Sequence, residues 1–145
     1  MAGFAVIKDS QSKPFTRVTI NSTSHSYGDL IELVNGTAYW AACTSSSNYF
    51  TRKAICMETV SSGTSILVRE LDGTEIVSAE SANNSNSTHN GDNMVLTDTN
   101  TVNNTGSTST AQTACFVQDG TIGVNTDKLI YGRVIVGKGV DPDAT

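Results

Sequence analysis

The sequence predicts an all-β protein, a small barrel or sandwich built from a weakly duplicated meander of short strands, and three observations carry that expectation. No window of a dozen residues holds apolar side chains at i, i+3, i+4 and i+7 without Gly, Ser or Thr breaking the stripe, so helical periodicity is missing. Short apolar runs rich in β-branched and aromatic residues recur along the chain, bounded by Gly, Asn, Asp or Ser, which is the pattern of strands and turns. Two stretches of the chain also repeat each other.

Taken in order, strands are expected over residues 4–8, 15–20, 30–34, 38–41, 53–60, 64–71, 75–80, 93–97, 113–118 and 129–136. Residues 4–8 lie in an N-terminal arm, 1–14, ahead of a single β domain at 15–138. A short tail follows at 139–145. Asn35-Gly36 and Asp72-Gly73 stand between strand pairs at two-residue hairpin spacing, because both turn positions favour positive φ, which these residues tolerate. Residues 83–89 and 100–111 are polar and of low complexity, cannot order themselves by apolar burial, and read as exposed loops. The last strand is apolar on both faces, with Ile130, Val134 and Val136 on one and Leu129, Tyr131 and Ile135 on the other. It is therefore a central strand covered on both sides or part of an oligomer contact.

The repeat sets Asn21-Ser22-Thr23…His25…Gly28-Asp29, followed by a strand ending in Leu33, against Asn86-Ser87-Thr88-His89…Gly91-Asp92, followed by a strand ending in Leu96. Further on, 53–57 echoes 113–117, and the segment around Arg69 echoes that around Arg133. The spacings are similar: 92 − 29 = 63, 115 − 56 = 59 and 133 − 69 = 64. The halves run over about 15–72 and 73–138, each too small for a core of its own, so the two are expected to share one.

Composition narrows the function. The chain has 145 residues, of which 16% are charged and 37% hydrophobic, with a net charge of −5. Ser, Thr and Asn make up about a third of it. Neither the basic balance of a phosphate-backbone binder nor an apolar run of membrane-spanning length is present, so nucleic acid and membrane are not expected partners. The first residues show no basic n-region or apolar h-region, which points to synthesis and retention in a cytoplasm. The odd set Cys43, Cys56 and Cys115 fits reduced thiols, with Cys56 and Cys115 in the core.

A search for chemistry comes back empty. Residues 132–138 match the GxxxxGK core of a phosphate-binding loop, but Gly139 stands where Ser or Thr must reach a metal, and the residues between the glycines read as a strand. Asp98-Thr99-Asn100-Thr101 opens like a calcium loop and then fails at Val102 and Asn103. His25 and His89 precede matching Gly-Asp pairs, so they read as closing the same turn twice, with Asp29 and Asp92 bonded to local backbone. No catalytic residue, metal site or cofactor is expected, and the chain is read as not an enzyme. Tyr39, Trp40, Tyr49 and Phe50 are the candidate interface or ligand surface, with core packing as the competing role for Trp40.

The stretch Tyr27-Gly28-Asp29-Leu30-Ile31-Glu32-Leu33-Val34-Asn35-Gly36-Thr37, with residues 54–57 and Ser62-Gly63-Thr64-Ser65-Ile66-Leu67-Val68, resembles the head decoration (capsid cement) proteins of tailed bacteriophages. That resemblance implies a structural virion protein on the outer capsid surface, with the major capsid protein as partner. It would bridge shell subunits and so stabilise the mature shell, and it would itself form a homo-oligomer, a dimer or trimer. It also implies that the arm meets the capsid, making Phe4, Val6, Ile7 and Phe15 the candidate capsid-binding residues. The arm would either add an edge strand to a capsid sheet or close this protein's own sheet. The rival expectation is a carbohydrate- or receptor-binding module of a phage fibre or adhesin, with Tyr39, Trp40 and Tyr49 as a stacking platform.

Overall fold

A computed structural model describes residues 3–9, 11–34, 36–47, 49–104 and 113–137. The expected tail, Asn35 of the Asn-Gly turn and residues 105–111 of the second polar stretch lie outside them. The strands are β1 (Ala5–Lys8), β2 (Thr16–His25), β3 (Leu30–Leu33), β4 (Trp40–Ala42), β5 (Lys53–Cys56), β6 (Val60–Glu70), β7 (Ile76–Ser81), β8 (Asn93–Met94), β9 (Leu96–Asp98), β10 (Thr101–Val102), β11 (Phe116–Ile122) and β12 (Leu129–Val134). Among the described residues two short 3-10 turns, Ser87–His89 and Asn125–Asp127, interrupt the β pattern. The protein is all-β.

The first half closes into a five-stranded barrel in the order β2-β4-β3-β5-β6. The second half is a sheet ordered β8-β11-β12-β7-β10-β9, with β1 added to β7. Because only Val95 separates β8 from β9, the two ends of that sheet meet in one run of chain and the sheet is nearly closed. Each pairing in the first half has a counterpart in the second. The parallel pair β2/β4 matches β7/β10, and the antiparallel pairs β2/β6, β3/β4, β3/β5 and β5/β6 match β7/β12, β9/β10, β8/β11 and β11/β12.

Register fixes the equivalence residue by residue. Arg69 lies opposite Ile55 as Arg133 lies opposite Val117, and Ile66 opposite Val18 as Ile130 opposite Ala79. The repeated Gly-Asp makes the same turn twice: Asp29 N donates to Ser26 O at 3.0 Å and Asp92 N to His89 O at 3.0 Å, with Gly28 and Gly91 at φ +92° and +90°. Those angles are left-handed, which is why both positions hold glycine. Gly28 N then donates to Cys56 O and Gly91 N to Gln118 O. Cys56 therefore corresponds to Gln118, and Cys115 to Lys53. The sequence match of Cys56 to Cys115 is out of register by three positions.

The interiors differ in how they fill the same space. In the first barrel Ile20, Ile31, Trp40, Ala54, Cys56, Ile66 and Val68 form a cluster of their own. Their counterparts Ser81, Met94, Val102, Phe116, Gln118, Ile130 and Gly132 are also buried. Large Trp40 with small Ala54 in one barrel becomes small Val102 with large Phe116 in the other, since close packing conserves volume rather than identity. Gly132 is part of that exchange: a Cβ there would stand 3.0 Å from Phe116 Cζ and 1.9 Å from Val117 O. A second cluster fills the second barrel and continues through Phe4, Leu30, Cys43, Ile55 and Leu71 into the junction between the halves. The expectation of one shared core thus becomes one separate interior and one that includes the junction.

Other local expectations shift for reasons of pairing. Asp72-Gly73 closes no hairpin, because β6 pairs β2 and β5 while β7 pairs β1, β10 and β12, so this turn links the barrels. There the buried Glu75 carboxylate accepts from Asp72 N and Gly73 N. The β3/β4 connection is longer than two residues, since Val34 N donates to Tyr39 O. Residues 53–60 split at Cys56, and Val60 starts the long β6. Thr101–Val102, inside a stretch read as loop, is a strand whose Val102 is fully buried.

Candidate functional site

The N-terminal arm builds one wall of a surface groove. Phe4 N donates to Gly28 O at 2.8 Å, which pins the arm across the first barrel's Gly-Asp turn and drives the Phe4 ring into the core beside Phe116, with centroids 6.2 Å apart. β1 then pairs antiparallel with β7, Ala5 opposite Ser78 and Val6 opposite Val77, and a register shift before Lys8 turns Ile7 outward. Asp9 ends the arm by hydrogen-bonding the buried guanidinium of Arg69, which also faces Glu75 at 3.9 Å.

Between the arm and the first barrel runs a groove of about 230 Å³ whose walls include Val6, Phe15, Tyr27, Ile55, Met57 and Arg69. Its rim is apolar and open: Phe15 is 49% exposed and Tyr27 46%. Ile7, on the same arm, is 55% exposed. Among the described residues β1 has no strand partner besides β7, so its other edge is free. Arg17 bonds Glu58 at 2.8 Å, and Glu58 also accepts from Leu67 N. The backbone bond first and then Arg17 hold its carboxyl below the usual range.

Of the four arm candidates, Phe4 is corrected: at 1% exposure it belongs to this protein's own core and is closed to any partner. Val6 is half-buried, while Ile7 and Phe15 stand in solvent. The aromatic stretch is also redistributed. Trp40 is buried, an interior residue of the first barrel, with the Arg52 guanidinium 5.6 Å from its ring centroid, so it cannot belong to an exposed stacking platform. Two hydrogen bonds from Arg52 to Glu70 fix that cover and raise the guanidinium's affinity for its proton. Phe50 is half-buried and meets Tyr49 edge-on at 5.2 Å. Tyr39 and Tyr49 remain exposed.

A polar cluster with no sequence signature sits beneath the junction. Glu32 accepts from Ser47 Oγ and from Thr51 Oγ1, and the Lys53 Nζ of fully buried Lys53 donates to Thr51 Oγ1 at 3.0 Å. Only its register gives the cluster away, for Glu32 and Lys53 are opposite one another on β3 and β5. Burial pushes the nearby Cys43 thiol well up, and pushes Cys115 up to about 11 and Cys56 to about 12. All three thiols are free and un-ionised at neutral pH. With Ser47, Thr51 and Lys53 buried and Glu32 half-buried, the cluster ties the loop after β4 to the barrel wall.

The remaining motifs are spent on local structure. Asp98 accepts from Asn100 N, and Asn100 reaches Asp29 across the junction at 3.4 Å. Gly132 to Val134 of the phosphate-loop match lie in β12, and Lys138 falls outside the described residues. Among the described residues no group of three or more His, Cys, Asp and Glu side chains is placed to hold a metal ion, and no helix is long and apolar enough to cross a membrane. No protein-family model matches the sequence, and no curated protein does.

Proposed function

We propose that this chain is a structural virion protein that binds the outer surface of a phage capsid lattice and stabilises the mature shell by bridging major capsid subunits. The observation that supports it is the free edge of β1 beside the open rim of Phe15 and Tyr27, a contour suited to another protein's backbone and apolar side chains. The arm meets its partner with Ile7 and that rim, not with Phe4. Binding to the mature shell and not to its precursor shifts the equilibrium toward maturity by RT ln(1 + [L]/Kd), about 2.7 kcal/mol per site at a hundredfold excess over Kd. Oligomers would multiply such weak contacts through effective concentration.

The test is light scattering after size exclusion, then co-sedimentation with mature shells and with unassembled capsid subunits of the source. The expected result is a dimer or trimer that sediments with shells, leaves free subunits in solution and raises the melting temperature of the shell. A monomer that ignores every shell rejects the reading and moves the search to glycans around exposed Tyr39 and Tyr49.

A further inference from the structure

The turn that anchors the arm follows directly on a buried histidine. His25 ends β2 at 4% exposure; its Nε2 meets Thr23 Oγ1 at 2.8 Å, and its Nδ1 is sealed from solvent with no hydrogen-bond partner among the described residues. A neutral ring suits that setting, with Nε2–H donating to the hydroxyl and Nδ1 presenting a lone pair. A second proton, on Nδ1, finds no acceptor where the ring stands, so the charged ring is accommodated only by movement. The next residues are the arm's footing. The Asp29 carboxylate accepts from Ser26 N at 2.9 Å and from Asn100 of the second half at 3.4 Å, while Tyr27 N donates to Thr59 Oγ1 and Gly28 N to Cys56 O. Phe4 N donates to Gly28 O, and a Cβ on Gly3 would stand 3.0 Å from that same oxygen, so the arm's backbone rests on the turn. The strand end beneath is loosely paired: the β2/β6 register shifts twice between Thr19 and His25, and Ser22 and Ser62 hold left-handed backbone at φ +52° and +57°, which costs a residue with a side chain free energy.

We infer that His25 is an acid-operated catch on the N-terminal arm: a proton on its ring takes the 26–29 turn apart and releases β1 from β7. The charge that acts on the ring is Asp29. Drawn to that carboxylate, the imidazolium competes for it with Ser26 N and Asn100; turned out to water, it withdraws the end of β2 from beneath the turn. Either movement displaces Gly28 O from Phe4 N. The elements around the turn supply no other countercharge. Val60 stands opposite on β6, Cys56 on β5 is un-ionised, and Gly3 and Phe4 of the arm carry no charge. Glu58 is held by Arg17 and Leu67 N, and Asp98 by Asn100 N. Burial outweighs Asp29 and lowers the ring's pKa, so the opened form takes the proton first as pH falls below about 6.5. The second half's turn answers acid differently, because His89 is partly open and already meets Asp92 at 3.1 Å, where a proton completes an ion pair. Release carries Phe4 and Val6 out of the junction and bares the edge of β7.

The test is amide hydrogen exchange on the full-length protein between pH 7 and 5, expressed as protection factors so that the intrinsic pH dependence of exchange cancels, with both histidine rings followed by NMR. Protection at Phe4, at Gly28 and across the β1/β7 pair is expected to fall at least threefold over that range, and no more steeply than about tenfold per pH unit, the limit for one proton. Residues 116–122 of β11 should keep theirs. In His25→Gln the arm's protection should stay level, and an equal loss there overturns the inference. Two further outcomes are read on the wild type alone, so the inference is decided whether or not His25→Gln folds. A His25 ring that titrates while Phe4 and Gly28 stay protected overturns it, as does constant protection down to pH 5. Equal loss at 116–122 and at the arm also overturns it, because the acid step is then global unfolding and not release of the arm.

Discussion

Replacing Phe4 by Ala tests whether the arm is core or appendage. Its ring is 1% exposed, packs tilted against Phe116 at 6.2 Å and shares a cluster with Leu30, Val77 and Ile130. Truncating a buried Phe to Ala costs about 3–5 kcal/mol through lost transfer energy and the cavity left behind. Among the described residues the four-residue β1 pairs with β7 alone, so the arm can peel away and limit the loss, which places the expectation at about 3 kcal/mol. For a chain of this size that lowers Tm by about 6–12 °C. Urea unfolding followed by circular dichroism reads the loss, with amide exchange on β7 as a local report: the amides of 76–78 should lose protection while those of 116–122 keep most of theirs. Ile7→Ala, on an exposed side chain, should stay within about 0.5 kcal/mol of wild type. A Phe4→Ala loss below about 1 kcal/mol would refute the reasoning, because an arm removed so cheaply is an appendage and the cluster around Phe4 is not part of the fold.

Three further outcomes follow from the same geometry. Trp40 should emit at short wavelength and resist acrylamide in the native protein, and an exposed, quenchable Trp40 would remove the Arg52 cover from the account. At pH 8 a chromogenic disulfide reagent should find no fast thiol in the folded protein and three after denaturation, since burial keeps Cys43, Cys56 and Cys115 protonated; one rapidly titrating thiol would contradict it. Burial lowers the His25 pKa despite Asp29, so as pH falls below about 6.5 the unfolded chain takes up this proton first and stability drops with it. His25→Gln should flatten that slope below about pH 6.5, and equal slopes would assign the acid sensitivity to other groups.

The doubled Gly-Asp turn was legible because a left-handed glycine and a carboxylate at a strand start are local requirements, met within a few residues at both Gly28-Asp29 and Gly91-Asp92. Strands such as Leu129–Val134 were legible for a similar reason, as their apolar character serves both faces at once. Pairing was not. Asp72-Gly73 satisfies the local chemistry of a hairpin, yet ring closure in each half has already taken the edges a hairpin would need. Thr101–Val102 carries too few residues to show alternation and is a strand only because β7 and β9 flank it. At the site, Ile7 and Phe15 were named through the family resemblance, and both side chains are exposed. Burial of Phe4 and the Glu32–Thr51–Lys53 cluster depend on contacts between residues far apart in sequence, where composition is silent, whereas packing was already the role expected of a lone tryptophan at Trp40.

Duplication alone would give two equal barrels, and the unequal use of their equal edges is what makes the molecule directional. Ile55 and Arg69 of the first half lie under the arm, Arg69 held by Asp9, whereas among the described residues no strand lies over their counterparts Val117 and Arg133, and Arg133 is exposed with Asp119 at 3.2 Å. The same chain segment that seals β7 thereby walls the groove beside β2, so one arm both completes the second barrel and shapes the surface of the first. A partner bound against the groove rim at Phe15 would lie beside elements of both halves, and its binding energy would couple to the docking of the arm and hence to the stability of the second barrel. Destabilising the arm without touching the rim, as Phe4→Ala does, should therefore weaken partner binding as well. Equal partner affinity in Phe4→Ala and wild type would show that the arm and the rim work independently.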